Sequence, residues 1–520
     1  MAPKRIRRSL ALPASWRFLL LALLIAVSAE GAPRPNFVFI MSDDHAYQAV
    51  SAYGAGINNT PNIDRIAREG IRFDRAYVPN SLCGPCRATV LTGKHSSRNG
   101  FYDNRSTFDG TQWTMAKSLQ RAGYQTAIVG KWHLVSEPTG FDHWDVLPGQ
   151  GKYYRPDFIT PAGKSAIDGY VTDVTTDKAI AWLNGAGETG RKADKPFLLM
   201  IHQKAPHRPW DPAPERLKEF VGREIPEPAT LLDDYSTRTS SAVDAKMRIG
   251  ETMNDRDIKT WAEDNNHRQW LYNHMTADQK AAWVEHIDPR QAELEDSGLE
   301  GDERTRWKWR RYMEDYLACV ASVDEGVGRV LDWLDGAGLA ENTVVVYMSD
   351  QGFYLGEHGW FDKRFMYEES LRTPMVVRWP AGLKEPGREE GRIVSNLDIA
   401  PTFLELAGAE VDPEVDGRSL TAILRSEPTP DWREDFYYHY HEGPERDHNV
   451  QLHDGVTDGR HKLIHFYKRD EWELYDLEED PRELSNVADD PRYAEVRERL
   501  TARLAELRED YGFTPPKVGE

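Results

Sequence analysis

The densest chemistry in the sequence is the run Cys83-Gly84-Pro85-Cys86-Arg87-Ala88-Thr89-Val90-Leu91-Thr92-Gly93. Taken as Cys-Gly-Pro-Cys it is a dithiol, in which a helix N-terminus lowers one thiol pKa and the second thiol resolves a mixed disulfide. Other reactive side chains stand in small groups: Asp43-Asp44-His45, Lys131-Trp132-His133, His202 with His207, Asp350-Gln351, and Lys363. The carboxylates at 43, 44 and 350 offer hard oxygens of the kind Ca²⁺ takes, and Gln351 adds a neutral carbonyl oxygen. In isolation Asp43-Asp44 would read as a turn or capping pair, and Lys131 with His133 as surface. What precedes each group changes that reading.

Each of the first four groups follows a short apolar run of strand composition. Asn36 to Met41 leads into Asp43-Asp44, Thr126 to Val129 into Lys131 and His133, Phe197 to Ile201 into His202 and His207, and Thr343 to Met348 into Asp350-Gln351. Capped helices lie between them: Thr60-Pro61 opens one that Gly70 closes, and Thr114 opens another that Gly123 closes. Alternating strands and helices predict an α/β domain with a large, mostly parallel sheet flanked by helices. Sites in such sheets form outside the carboxyl ends of the strands, where these groups fall. If the strand from Thr126 to Val129 continued, Lys131 and His133 would share one face.

The chain of 520 residues is long enough for two or three domains and a large core. Acidic residues outnumber basic ones by 85 to 65, for a net charge of −20, which argues against a nucleic-acid partner. Residues 1–29, with Lys4, Arg5, Arg7 and Arg8 before an apolar run from Phe18 to Val27, read as a secretory signal peptide. The run is short for a membrane span, so the expected location is secreted or periplasmic with no membrane segment after cleavage. Without that leader 60 basic residues face 85 acidic ones, a charge of −25. The expected organisation is a catalytic domain over 33–424, with a charged, tryptophan-rich helical surface insertion at about 211–310 that leads into a long helix near Arg311 to Leu334. A smaller α+β subdomain over 425–520 follows, with aromatic strands at Phe436 to Tyr440 and Leu463 to Tyr467 and a final helix around Tyr493 to Arg508. Cys319, in an apolar helical stretch, reads as an inert core thiol.

Read as Cys-x-Pro-x-Arg followed by Leu-Thr-Gly, the run at 83 resembles the signature of the formylglycine-dependent (type I) sulfatases, of the alkaline-phosphatase-like superfamily. Only Cys83 has proline at +2 and arginine at +4. The resemblance extends over nearly the whole chain after the leader: Ser42-Asp43-Asp44-His45, Gly130-Lys131-Trp132-His133, Ala205-Pro206-His207, Ser349-Asp350-Gln351-Gly352, Gly356 to Lys363, and Asp416 to Leu420. A thioredoxin-type dithiol domain needs neither paired aspartates nor a Lys-x-His cluster.

The resemblance implies that an external formylglycine-generating enzyme oxidises Cys83, and that the hydrated aldehyde attacks sulfur and later collapses to release sulfate. It assigns the Ca²⁺ to Asp43, Asp44, Asp350, Gln351 and residue 83, although asparagine or histidine is more usual at 351. It makes Arg87 a support for the hydrate, Lys131 and Lys363 contacts to sulfate oxygens, His133 an aid to collapse and His207 the acid toward the leaving alcohol. His202 is read as supporting the site. Gly352 to Pro374 and the ending around Trp472 to Leu477 look like bacterial carbohydrate sulfatases, including those removing 6-sulfate from N-acetylglucosamine. Gln451, Leu452 and Thr457 stand where that branch carries basic residues, so specificity transfers least. Trp360, Asp362 and His453 are the expected sugar contacts. A related ester chemistry, on phosphate mono- or diesters or phosphonates, and a binding module with an unconverted cysteine are the alternatives. The acidic surface favours short, sparsely sulfated saccharides held by a local cationic pocket.

Overall fold

The computed structural model describes residues 34–516, so the leader at 1–29 lies outside the described residues. Strands β1 (Asn36–Ser42), β2 (Ile71–Tyr77), β3 (Gln125–Lys131), β4 (His143–Leu147), β5 (Asp157–Thr160), β6 (Gly163–Ala166), β7 (Phe197–His202) and β8 (Thr343–Ser349) are followed by a hairpin, β9 (Tyr354–Leu355) and β10 (Phe361–Asp362). Then come β11 (Met375–Arg378) and β12 (Arg388–Ser395). Ten of these form one sheet in the order β12-β2-β11-β8-β1-β7-β3-β4-β5-β6. β1 lies parallel to β7 and β8, and β3 parallel to β7 and β4; β11 runs antiparallel to β8 and β2.

The four strands legible as apolar runs, β1, β3, β7 and β8, are buried along their full length. Helices cover both faces, so no solvated side forces an alternation of polar residues. Successive residues of β1 feed opposite cores: Val38 and Ile40 pack with the helices Val171–Leu183 and Gly301–Gly336, and Phe37, Phe39 and Met41 with the helices Cys83–Thr92, Met115–Arg121 and Ile399–Ala407. The capped helices form as expected: Pro61–Arg68 follows Thr60, and the Thr114 hydroxyl accepts from the Lys117 amide.

A second sheet, β13 (Phe436–Tyr440), β14 (His453–Thr457), β15 (His461–Phe466) and β16 (Glu471–Asp476), is an antiparallel meander. Its outer face packs under the final helix Ala494–Asp510 through Leu500, Leu504 and Leu507. Its inner face, including Tyr438, Tyr440, Ile464 and Phe466, packs on Trp360, Phe365, Met366 and Tyr367. The C-terminal sheet thus braces the segment that carries Lys363.

The stretch at 211–310 is a layer of short helices, largely outward-facing, that is anchored inward at a few residues: in Ala277–His286 Trp283 is the buried residue, and its indole N–H donates to the Tyr154 hydroxyl at 2.7 Å. Leu271 and Ile287 belong to the same core as Val38 and Ile40. The long helix runs from Gly301 to Gly336, and its first turns carry the buried Trp307 and Trp309. Charge on the outward faces masks this inward tryptophan packing in the sequence.

Candidate active site

β1, β8, β7 and β3 end at one level, with Met41 opposite both His202 and Met348, and Gly130 opposite His202. Asp43 and Asp44 leave the end of β1 and Asp350 the end of β8; Lys131 is the last residue of β3. Gly130 has φ 101°, and a Cβ there would stand 2.0 Å from the His202 carbonyl oxygen, so only glycine lets β3 turn its end toward the site. Asp44 is left-handed at φ 68°, a conformation aspartate tolerates, with its carbonyl held by the Tyr316 hydroxyl at 2.7 Å. Asp350 accepts the backbone N–H groups of Asp44 and Gln351, both at 3.1 Å.

The helix Cys83–Thr92 points its N-terminus at this edge, so its positive end favours an anion there. Arg87, four residues along, donates to Asp350 Oδ2 from Nε and Nη2 at 3.2 and 2.8 Å and to the Lys131 carbonyl at 2.7 Å. Lys131 contacts Asp43 and the amide oxygen of Gln150. Lys363 contacts Asp44, and its Nζ lies 3.3 Å from Cys83 Sγ. Three cations and three carboxylates are therefore interleaved around Cys83 in a buried layer. Isolated buried charges of this kind would be prohibitively costly.

Burial pushes Asp44 and Asp350 up to about 6. Burial pushes Asp43 the same way, but Lys131, His207 and Arg87 overcome it and hold the group well below the usual carboxylate range. Burial, with Asp43 adding to it, raises the Cys83 thiol to about 12, and burial also drives Cys86 well above its ordinary value. A redox dithiol requires a lowered thiol pKa, and burial acts in the opposite direction at both thiols. Cys86 instead donates its S–H to the Asn80 carbonyl at 3.0 Å, and Cys319 is a buried free thiol beside Tyr170.

Carboxylate oxygens of Asp43, Asp44 and Asp350 all lie within 4.8 Å of one another. Asp43 Oδ1 and Gln351 Oε1 are buried without a hydrogen-bond partner. Buried oxygens are seldom left so, and these two unspent acceptors beside a carboxylate cluster fit a hard cation such as Ca²⁺. Gln351 reaches the cluster: its amide nitrogen donates to Asp44.

Two histidines stand at the mouth. β3 stops at Lys131 and the chain turns at His133 (φ 55°), so Lys131 and His133 do not share a strand face as the sequence reading allowed. His207 lies 3.7 Å from Asp44 Oδ2 through Nε2, while its Nδ1 pairs with the Arg208 carbonyl at 2.7 Å. That bond makes Nδ1–H the donor and leaves Nε2 as the atom able to exchange a proton. Burial holds both imidazoles well below their ordinary pKa, with Lys131 adding to it at His133. His202 is buried behind Arg87 and the Lys131 carbonyl, at 3.3 and 3.0 Å, and supports the layer from below.

The sugar-side residues separate. Trp360 is 0 % exposed and stacked against Phe365, Tyr367 and Tyr235, so it is core and offers no face to a sugar ring. His453 is also 0 % exposed, beside Phe365 and Tyr438, with Nε2 unpartnered. Asp362 (φ 81°) precedes Lys363, contacts Arg364 and lies 3.2 Å from His448 Nε2. Sequence reasoning missed Gln150, Tyr316, Arg364 and Lys204; Lys204 is buried with its ammonium 4.6 Å above the Tyr153 ring. Only Lys204 gave a signal, as a lysine inside the His202 to His207 run.

Residues 35–409 match the sulfatase family, and residues 356–510 match the N-sulphoglucosamine sulphohydrolase C-terminal family. The chain belongs to the sulfatase family. As a sulfatase it is a sulfuric ester hydrolase. It is 48% identical over 504 residues to an N-acetylglucosamine-6-O-sulfatase of Bacteroides thetaiotaomicron, covering 94% of this chain and 89% of that protein. A solved complex with D-glucosamine-2-N,6-O-disulfate superposes on the sulfatase with TM-score 0.90 at 46% identity, covering 94% of this chain and all of the other. The phosphonate monoester hydrolase of Agrobacterium radiobacter has the same fold, at TM-score 0.69, 21% identity and coverage of 92% and 96% of the two chains.

Proposed function

We propose that this sulfatase removes sulfate from short carbohydrates, with 6-sulfated glucosamine units as its substrate class. The observation that carries the reading is the buried ring of Arg87, Lys131 and Lys363 interleaved with Asp43, Asp44 and Asp350 around Cys83. It is supported by the name of the relative at 48% identity and by the disulfated glucosamine in the related complex. Asp362 is the sugar contact proposed here, joined by Arg364; His453, 0 % exposed among Phe365, Tyr438 and Phe466, belongs with Trp360 to the core.

Ca²⁺, held by Asp43, Asp44, Asp350, Gln351 and residue 83, would supply positive charge to the sulfate oxygens. Cys83 converted to formylglycine by a maturing enzyme would supply a hydroxyl nucleophile. The rest is done by the chain. Lys131 and Lys363 face the anion and neutralise charge that grows on its oxygens in the transition state. Arg87, locked on Asp350, holds residue 83 at the helix start. As the sulfur–oxygen bond breaks, the proton on His207 Nε2 passes to the departing alkoxide, and the sulfate's own negative charge favours that imidazolium. His133, across the mouth, would take the proton released from residue 83 when sulfate leaves. The leader at 1–29 marks the enzyme for export.

The test is a panel of monosulfated sugars beside matched aryl sulfate, phosphate and phosphonate esters. Highest turnover on a 6-sulfated glucosamine is the expected result. A preference for phosphate or phosphonate would reassign the enzyme within its fold. Mass spectrometry of the Cys83 peptide from the exported protein reads the conversion directly, and an unmodified thiol in active enzyme would remove the formylglycine part.

A further inference from the structure

We propose that Arg208 and Asp257 form a positioning pair that aims the His207 ring at the leaving oxygen. The inference rests on the role of His207 given above. The ring is oriented by the carbonyl of Arg208, which accepts from Nδ1 at 2.7 Å, so its aim follows wherever that peptide is held. The side chain of the same residue is fixed by a two-pronged contact: Arg208 Nε to Asp257 Oδ1 at 2.6 Å and Nη2 to Asp257 Oδ2 at 2.7 Å. Such a planar fork defines direction as well as distance.

Asp257 is itself immobile. It is 0 % exposed, and its carboxylate also accepts the Asn254 backbone N–H at 3.0 Å. Two residues on, Lys259 donates to the carbonyls of Pro209 and Trp210 at 2.6 and 3.1 Å and pairs with Asp315 of the long helix at 2.9 Å. Arg290 forks onto Asp315 at 2.8 Å from both terminal nitrogens. The segment 207–210 is therefore tied to the insertion at three consecutive residues, Arg208, Pro209 and Trp210, and through it to the scaffold. On its other side the Arg208 guanidinium lies 5.4 Å above the Phe361 ring, two residues before Lys363. One arginine thus spans the acid's turn and the hairpin that carries the sulfate-binding lysine. The helical insertion then acts on catalysis without touching substrate.

Protonation matters for an alkoxide leaving group and little for 4-nitrophenolate, so aim and leaving group must be coupled. The full-length enzyme is assayed on a 6-sulfated sugar and on 4-nitrophenyl sulfate, for wild type, Asp257→Asn, Arg208→Lys, His207→Ala and the double variant His207→Ala/Asp257→Asn. His207→Ala is expected to lose on the order of 10² to 10⁴ in kcat on the sugar sulfate and only a few-fold on the aryl ester. Asp257→Asn and Arg208→Lys are expected to lose roughly tenfold or more in kcat on the sugar sulfate alone, with KM little changed. The double variant should be no slower than His207→Ala, because the pair acts only through that ring. Equal losses on both esters, or an additive double variant, would assign the pair a general structural role and overturn the proposal. A His207→Ala variant that lost equally on both esters would instead remove the acid reading, and the pair's role with it. Arg208→Lys keeps the charge and guards against a fold lost in Asp257→Asn.

Discussion

The two ends of the site are built differently. The anion end stands on strand termini and one helix: Asp43, Asp350, Lys131 and Arg87 are 0 to 1 % exposed, and each cation is matched to a carboxylate. The leaving-group end stands on turns. His133, Asp362 and Arg364 occupy left-handed backbone at φ 55°, 81° and 98°, which aspartate tolerates and which is strained for the histidine and the arginine; at the first end Asp44 shares that geometry at φ 68°. Those turns are held from outside, by the insertion at His207 and by the C-terminal sheet, whose Tyr438 hydroxyl donates to the Arg364 carbonyl. Charge recognition is thus fixed by the fold itself, while the alcohol is met by segments that other parts of the chain restrain. Changes at the first end should strike every sulfate ester, and changes at the second should discriminate among them.

The largest expected effect breaks the first end. Cys83→Ala should remove turnover of sugar and aryl sulfates alike, by on the order of 10⁴-fold or more, whereas Cys86→Ser, three residues along the helix, should leave most of it. A Cys86→Ser enzyme as dead as Cys83→Ala would return the dithiol to consideration. Next comes the brace behind the second end: Trp360→Ala empties an aromatic stack and should cost about 3 to 5 kcal/mol in urea unfolding. If stability is unchanged, Trp360 is not the core residue described above.

Cation binding separates the ends more gently. Saturating Ca²⁺ should raise the thermal midpoint, by about 2.7 kcal/mol of stabilisation at a hundredfold excess over Kd. Asp43→Asn should erase that shift and Asp362→Asn should keep it; the reverse would misplace the cation. The smallest effect tests the seam between catalytic domain and C-terminal sheet. There His95 stacks on Tyr437 and lies tilted against Tyr511, and the His439 and His441 ring centroids are 3.7 Å apart. Burial lowers His95 and His441 to about 3, so the unfolded chain binds more protons than the folded one below about pH 6.5. Stability should fall as pH drops from 6.5 toward 5, by about 1 to 2 kcal/mol per histidine, and His95→Gln should flatten the slope seen by calorimetry.

Asp43, Lys131 and Asp350 were legible in the sequence because each stands at the end of a strand buried on both faces, and such strands read as unbroken apolar runs. The edge strands gave no such signal: β6 is exposed at every residue, and β12 is charged and bulged between Glu390 and Ile393. His133 was named from the sequence, but its turn away from the face of Lys131 was not, because the chain leaves strand geometry just after Lys131, which composition does not announce. The contact of Arg208 with Asp257, 49 residues apart, lies in a charged stretch where ion pairs are indistinguishable by sequence from a solvated surface. Trp360 misled for a related reason, since an aromatic three residues before a lysine of the proposed site serves a core as readily as a ligand.

The adjacency of β1 and β8 also orders events in time. Asp44 and Asp350 meet across 306 residues, so the ring around Cys83 closes only after most of the chain has been made. Contacts of such separation form late, since the loop entropy must be met before they return anything. Until β8 docks, Cys83 belongs to an open N-terminal segment; afterwards it is 1 % exposed. If an outside enzyme converts residue 83 as proposed, the thiol is open to it before β8 docks and buried afterwards, so the conversion would have to precede that step.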